Sequence, residues 1–498
     1  MICASAKFHR FEVLRLVLLV GLTSIFLFGF RLGELPLLDR DEPRFAEASR
    51  EMLHSGDWII PRLNGRDRFD KPPLIYWAQA FFLRTLGESA AAVRWPSALA
   101  AALTAVVIAL WGRRIAGYRV GLWSAVLFAT NPQVFAHAHL AVADMLMVLC
   151  VTLASWLGWE WLISPSVRLR RSTLFLGFFF FLALGFLAKG PIAWMAVIPL
   201  IWTARAEKSQ GLPTYLDPTS FRTWILGGLL TLTLIGLWGV PALLQSEGAY
   251  FRVGIGKHVV ERSVGILEGH GGKGLLGYLA GLPFYGFTLL IGFLPWSPQL
   301  VRSLYRHSPW RTQQSVDTYL LTGIASVFLI FTLIRTKLPH YVLPAFPWIA
   351  LWLGKTLVAN GISDRYFRRR ALPTLVLLTS LAAFGFSNAS PLLPVPLLAE
   401  ACAPWIHSQT HLATFDFEEP SVIWYFRKPS SPWVNHLKNE ADLFRFINQP
   451  GSRVCILPFS PVVERLETAN PRLRRIEAQG FNLANGRRIR LIALVQPD

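Results

Sequence analysis

Long apolar runs recur along the chain at 11–30, 95–111, 120–136, 145–163, 173–188, 190–203, 223–244, 275–301, 318–334, 341–354 and 371–387. About 20 apolar residues cross a bilayer and shorter runs are accommodated by tilt and thinning, so the pattern predicts about eleven spans. The runs 173–188 and 190–203 are short and meet at "AKGP", which predicts a tight hairpin partly inside the membrane. The first run is longer than a signal-peptide core and no small-residue cleavage motif follows it, so it is expected to remain as a span.

Polar segments between the runs carry the rest of the organisation. Residues 31–94 are long and nearly neutral. In 43–54 the residues Phe45, Ala48, Met52 and Leu53 follow helical spacing, with Glu47, Arg50, Glu51 and His54 on the other side. That predicts an amphipathic helix on the membrane surface with Pro43 in its first turn, and a second one from Pro72-Pro73 to near Gly87. A second polar segment, 245–274, contains "GKHVVERSVGILEGHGGKG". Beyond 388 hydrophobic density falls. "LATFDF", "RVCILPF", 474–481 and 488–495 alternate like strands, 440–448 is helical, and Asn485-Gly486 marks a hairpin. The domain expectation is 1–388 for the membrane part and 389–498 for a small α/β unit.

The net charge of +19 raises the question of nucleic acid. With the N-terminus in the cytoplasm, every cytoplasmic segment is basic, from Lys7 and Arg10 to the Arg368-Arg369-Arg370 triplet, as the positive-inside rule requires. Most of the excess charge is therefore topology, and no nucleic-acid partner is expected. Eleven spans place the tail, with Cys402 and Cys455, on the outer side, where an oxidising compartment would permit pairing although no framework spacing specifies it.

The same topology gathers polar residues on one rim: Asp39, Asp41 and Glu42; Asp70 and Lys71; Asp144; Lys189; His258, Arg262 and His270; Lys337, His340 and Tyr341. Ionisable groups at membrane depth are costly and default to functional hypotheses. Each also has a plainer reading. Asp41 or Glu42 is a candidate helix N-cap, Asp70-Lys71 a surface ion pair, and Asp144 and Lys189 interfacial groups. His137 and His139 stand two apart, a spacing that suits a loop better than a helical metal pair. "GHGGKG" matches a dinucleotide fingerprint but has no preceding strand, and no G-x-x-x-x-G-K-[ST] stretch supports an ATP-driven pump. An outer cavity lined with acids and cations suits group transfer from a lipid-delivered donor: cations stabilise a departing phosphate and a carboxylate takes the acceptor's proton.

The stretch 39–77, "DRDEPRFAEASREMLHSGDWIIPRLNGRDRFDKPPLIYW", resembles the first outer loop of the bacterial lipid A aminoarabinose transferases and the wider group that includes protein O-mannosyltransferases. Asp144 in "AVADMLMV", Lys189 in "LAKGP", "FLPW" ending at Trp296 and "KLPHY" at 337–341 extend the resemblance over roughly 10–360. It implies an all-α polytopic protein of the GT-C type, with periplasmic amphipathic helices and a small C-terminal periplasmic α/β domain in the bacterial inner membrane. It also implies a polyprenyl (undecaprenyl) phosphate sugar as donor, lipid A or another envelope acceptor as partner, and no required cofactor, with a divalent cation left open.

Carried over by residue, Asp41 is the principal catalytic carboxylate, with Asp144 and Glu42 as further acids. Lys71, Arg262, Tyr341, Lys189, His258 and Lys337 are implied at the donor phosphate, and Asp70 and His340 as cavity support. Asp70 stands where the family has Glu. Transfer of a hexose to protein or another glycan is the alternative within the class; a polyprenyl-lipid flippase is the alternative outside it.

Overall fold

The computed structural model describes residues 2–163, 168–209, 220–254, 256, 274–306, 314–428 and 431–497. Ten helices open the chain: α1 (Ile2–Gly29), α2 (Asp41–Ser55), α3 (Leu74–Leu86), α4 (Ala90–Ala116), α5 (Tyr118–Ala129), α6 (Pro132–Ala138), α7 (Asp144–Ile163), α8 (Arg168–Lys189), α9 (Val197–Ser209) and α10 (Phe221–Gln245). Among the described residues eight helices are long and apolar enough to cross a membrane: α1, α4, α7, α8 from Ser172, α10, Ser315–Leu333, Pro339–Ala359 and Asp364–Leu392.

The other three of the eleven expected spans are broken helices. The run 120–136 stops at Thr130 because Asn131 caps a new helix, accepting from the Gln133 and Val134 amides at 3.0 and 3.4 Å, with Pro132 at its first position. His137 therefore sits in a short helix, not a loop. At "AKGP" Gly190 takes φ +82°, a conformation natural only to glycine, and Pro191–Ala196 folds as a 3-10 turn against α7 and α8 before α9 begins. The run 275–301 divides into Gly274–Ala280, Phe284–Gly292 and Ser297–Arg306.

Ion pairs sort the helix ends into two groups. At one end Arg114 meets Glu160 at 3.2 Å, Arg119 meets Asp364 at 2.9 Å, Lys355 meets Asp317 at 2.6 Å and Arg113 approaches Glu12 at 3.9 Å. These residues close α4 and α7 and open α5 and the helices at 315 and 364, the end that sequence reading places in the cytoplasm. Near the same end α4 and α5 pack so closely that a Cβ on Gly121 would stand 2.3 Å from the Ala109 carbonyl.

Beyond the membrane helices, a five-stranded sheet has the order β4-β3-β5-β7-β6, where β3 is His411–Phe415, β4 Asn435–Leu437, β5 Arg453–Pro458, β6 Arg474–Asn482 and β7 Arg487–Gln496. β3 runs parallel to β4 and β5, whereas β7 is antiparallel to β5 and β6. The β6–β7 turn carries Gly486 at φ +70°, as Asn-Gly anticipates. Cys402 and Cys455 are free and buried in separate apolar clusters, so they do not pair.

This domain corrects the expectation of a surface helix at α2. Glu47, Arg50 and Glu51, assigned to the exposed face, are buried. Glu47 accepts from Arg50 and, at 2.9 Å, from Arg427 of the sheet domain. Arg50 also donates to the Trp424 and Ile423 carbonyls. Glu51 accepts from the Asn64 and Gly65 amides in the hairpin formed by β1 (Arg62–Leu63) and β2 (Arg66–Asp67). The helix lies between the membrane helices and the sheet domain, and of its expected polar side only His54 stays exposed.

Asp39 joins the same interface, accepting from the Ser421 amide at 3.0 Å and from its hydroxyl. Burial raises its pKa from 3.8 to about 6, against the lowering effect of the Ser421 hydrogen bond. A carboxyl whose folded pKa is raised favours the protonated form, so docking is tightest below about pH 4, weakens as pH rises to about 6 and is level above that. Hydrogen exchange at 420–426 is expected to speed up between pH 4 and 6 beyond the intrinsic rate, and Asp39→Asn to remove that excess. A Ser421 amide whose protection is independent of pH in the native protein would contradict this.

Candidate active site

The acidic stretch 39–42 is divided among three environments by its neighbours. Asp39 faces the sheet domain, as above, and Arg40 reaches Glu419 there at 3.1 Å. Glu42 points inward and is 2% exposed. Arg94 of α4 holds both of its oxygens at 2.8 Å, and the Ala141 and Leu38 amides donate to it at 2.7 and 2.9 Å. Arg94 also donates to the carbonyls of Leu32, Leu35 and Pro36, which ties down the linker from α1 to α2. Asp41, the first residue of α2, remains at the surface with its side chain 71% exposed and Arg44 3.9 Å away.

Asp41 and Glu42 lie inside the first turn of α2, and the N-cap position belongs to Arg40, whose side chain makes no capping bond. The expectation of Glu42 as a catalytic acid is corrected by its contacts. Four donors on a carboxylate shut away from solvent make it a brace between α2, α4 and the strand of chain entering α7, with no lone pair left for substrate.

The loop before α3 supplies the next groups. Arg68 is almost buried, donating to Asp70 at 2.8 Å and to the Tyr76 hydroxyl at 3.2 Å, with Phe45 5.5 Å beneath its guanidinium. Burial works against its charge, and Tyr76, Asp70 and Asp41 more than offset that, raising its pKa. Lys71 Nζ lies 3.3 Å from the Asp70 carbonyl. Tyr250, just after α10, donates to the Lys71 carbonyl and packs edge-on against Phe69 at 5.1 Å and Trp238 at 5.0 Å. This aromatic group pins the Lys71 backbone to the end of α10.

The third contribution comes from helix ends. Asp144 opens α7 and binds Lys189, the last residue of α8. His340 Nε2 lies 4.0 Å from Asp144, its ring is 5.5 Å from His137, and Lys71 is within its electrostatic reach. Tyr341 stands 5.8 Å from Lys189 Nζ with its ring on Phe331. The structure thus brings Asp41, Asp70, Lys71, Asp144, Lys189, His340 and Tyr341 to the helix ends opposite the basic end. Lys337 is a correction: its ammonium donates to the carbonyls of Phe331, Thr332 and Ile334, capping the helix Ser315–Leu333, so its donors serve that terminus and not a phosphate. Burial lowers its pKa.

His258, Arg262 and His270 lie outside the described residues. Among the described residues no three His, Cys, Asp or Glu side chains converge as a metal set. Sequence reading passed over Arg68, Arg94 and Tyr250. Arg94 had a signal, as a lone cation at the start of an apolar span; Arg68 and Tyr250 had none beyond proximity to Lys71 and to the end of α10.

Comparison with known structures defines the class first. Over 96% of this chain and 97% of the other, the fold superimposes on that of ArnT from Cupriavidus metallidurans bound to undecaprenyl phosphate, with a TM-score of 0.71 and 17% identity. The oligosaccharyltransferase of Archaeoglobus fulgidus matches with a TM-score of 0.53 and 12% identity, over 88% of this chain and 67% of that one. This is the GT-C-type fold of a multi-pass membrane protein with a small C-terminal sheet domain.

Within that class, the chain is a homologue of the undecaprenyl phosphate-alpha-4-amino-4-deoxy-L-arabinose arabinosyl transferases. It is 30% identical to the one from Edwardsiella ictaluri (strain 93-146) over 370 residues, 70% of this chain, and spans 62% of that relative's length. Residues 70–215 match the model of the dolichyl-phosphate-mannose-protein mannosyltransferases.

Proposed function

We propose that the protein is an inverting glycosyltransferase of the bacterial inner membrane that moves a sugar from a polyprenyl phosphate to an acceptor on the periplasmic face, lipid A or a related envelope glycan. The N-terminus is cytoplasmic and the sheet domain periplasmic, the orientation that the basic helix ends favour. The observation that carries the reading is one solvent-facing carboxylate, Asp41, on the same rim as Lys71 and Lys189. Its nearest support outside the chain is the set of homologues whose names specify undecaprenyl phosphate.

In this mechanism the acceptor hydroxyl gives its proton to Asp41 as its oxygen bonds to the anomeric carbon. The bond from that carbon to the phosphate oxygen breaks on the opposite face, and the leaving phosphate keeps the electron pair. Lys71 and Lys189 offset the charge that develops on the phosphate, and Asp144 with the Tyr341 ring holds the Lys189 ammonium in place. A donor embedded in the bilayer needs a site that opens near the membrane surface, which is where these helix ends lie.

Purified protein in detergent, given synthetic polyprenyl-phosphate pentoses and hexoses with lipid A, is expected to release polyprenyl phosphate and form a glycosylated product seen by mass spectrometry. Turnover that requires a sealed vesicle would mark transport instead. Lys71→Ala is expected to weaken retention of radiolabelled donor about tenfold or more, the size of a lost charge-assisted contact, with little change in thermal stability. Donor retention equal to that of the native protein would remove Lys71 from the phosphate site.

A further inference from the structure

The basic end of the molecule, remote from the Asp41 rim, holds a polar junction between the helices Ser297–Arg306 and Asp364–Ser380. Gln299 is buried there. With both ends of its amide satisfied, it accepts from Arg370 Nε and Nη2 at 3.1 Å each and from the Tyr366 hydroxyl at 2.7 Å, and donates to the Pro295 and Trp296 carbonyls at 3.2 and 3.3 Å. The Arg370 guanidinium also lies 3.9 Å over the Tyr366 ring. Arg370 is thus fixed on two sides, about 9 Å along the helix from Asp364, where the span begins. Among the described residues no carboxylate pairs with it. Asp364, the acid of its own helix, is engaged by Arg119 at 2.9 Å and by the Trp123 indole at 2.8 Å.

Neighbouring cations are in the same condition. Arg302 and Arg306 follow Gln299 at i+3 and i+7, on its face of the helix, and Arg369 adjoins Arg370. All three are exposed, and none has an ion pair among the described residues. Val301, Leu304, Leu372 and Val376 are exposed apolar side chains on the same two helices, as contact with acyl chains requires. The positive-inside rule accounts for exposed arginines at helix ends. It does not account for one that is stacked, hydrogen-bonded and without a counter-charge inside a span, where an ionised group is costly unless something pairs with it.

We propose that this junction is a binding site for the phosphate of an anionic phospholipid, with Arg370 as the fixed donor and Arg302 and Arg306 as flanking cations. Phosphate oxygens match the N–H groups that Gln299 leaves on the guanidinium, and the apolar border favours a phosphate carried on acyl chains over a free one. A lipid seated here bridges the two helices at the end away from Lys71. The inference goes beyond the transferase reading and does not depend on it.

The test is native mass spectrometry of the purified full-length protein in detergent, titrated with phosphatidylglycerol, phosphatidylcholine and inorganic phosphate. Phosphatidylglycerol is expected to bind at least about tenfold more tightly than phosphatidylcholine, and Arg370→Gln to weaken it about fivefold or more, the effect of one cation beside a charged lipid. The double variant Arg302→Gln with Arg306→Gln changes exposed side chains only, and a loss of about fivefold is expected there too, independently of any folding defect in Arg370→Gln. Arg222→Gln, at the exposed start of α10, is the control and is expected to leave the preference intact. Equal affinity for the two phospholipids overturns the inference, as does an equal loss in Arg222→Gln and Arg370→Gln, which would mark general attraction to the basic end. Displacement of phosphatidylglycerol by inorganic phosphate would make this a site for a free anion and overturn the lipid assignment. Retention of bare polyprenyl phosphate is expected to be unchanged in Arg370→Gln; its loss would overturn the separation of this site from the donor site.

Discussion

Asp41→Asn is expected to lower turnover by about 10²–10⁴-fold, the range that a positioned general base contributes, while donor binding changes by less than about threefold. The two substituents are nearly isosteric, and the native side chain is 71% exposed with only Arg44 at 3.9 Å as an ion-pair partner. The fold therefore loses little, within about 0.5 kcal/mol for a surface change of this kind. The measurement is the initial rate of sugar transfer beside equilibrium retention of the labelled donor. A rate within a factor of three of native would transfer the base role to another group.

Arg94→Ala is expected to destabilise the protein by about 3–5 kcal/mol, the cost of leaving a buried carboxylate without its partner. Glu42 would keep only the Ala141 and Leu38 amides, and the Leu32, Leu35 and Pro36 carbonyls would lose their shared donor. The double replacement Arg94→Met with Glu42→Met should recover part of the loss, because removing both charges costs less than stranding one. Thermal unfolding in detergent, followed by tryptophan fluorescence, measures both. A single variant that melts with the native protein would show that the brace is not structural.

The sequence legibly marks the long apolar helices, the turn at Asn485-Gly486 and the Pro-led start of α3, because each is encoded within a few neighbouring residues. The broken spans were also marked, by Asn131-Pro132 and Gly190-Pro191, but continuous hydrophobicity outweighed those signals in a count of spans. The polar side of α2 misled because amphipathic periodicity shows that one face differs from the other, not what covers it. Its cover is Arg427, nearly four hundred residues later, at 2.9 Å from Glu47.

The site was legible as a set of residue types on one side of the membrane, and only partly as roles. Asp39, Asp41 and Glu42 look alike in sequence and are separated by partners at Ser421, Arg44 and Arg94. Lys337 and Lys189 both precede proline within two residues, yet one closes a helix and the other holds Asp144. Such assignments depend on which backbone carbonyls and carboxylates the tertiary fold leaves within reach.

The docking of the sheet domain on α2 bears on how this protein can be trimmed. Cutting the chain near residue 389 would strip Glu47 of the Arg427 cation and Arg50 of two carbonyl acceptors, opening the back of the helix that begins with Asp41. The transmembrane portion alone is therefore expected to lose activity, because the tail braces Glu47 and Arg50, about two turns beyond the residue proposed as the base.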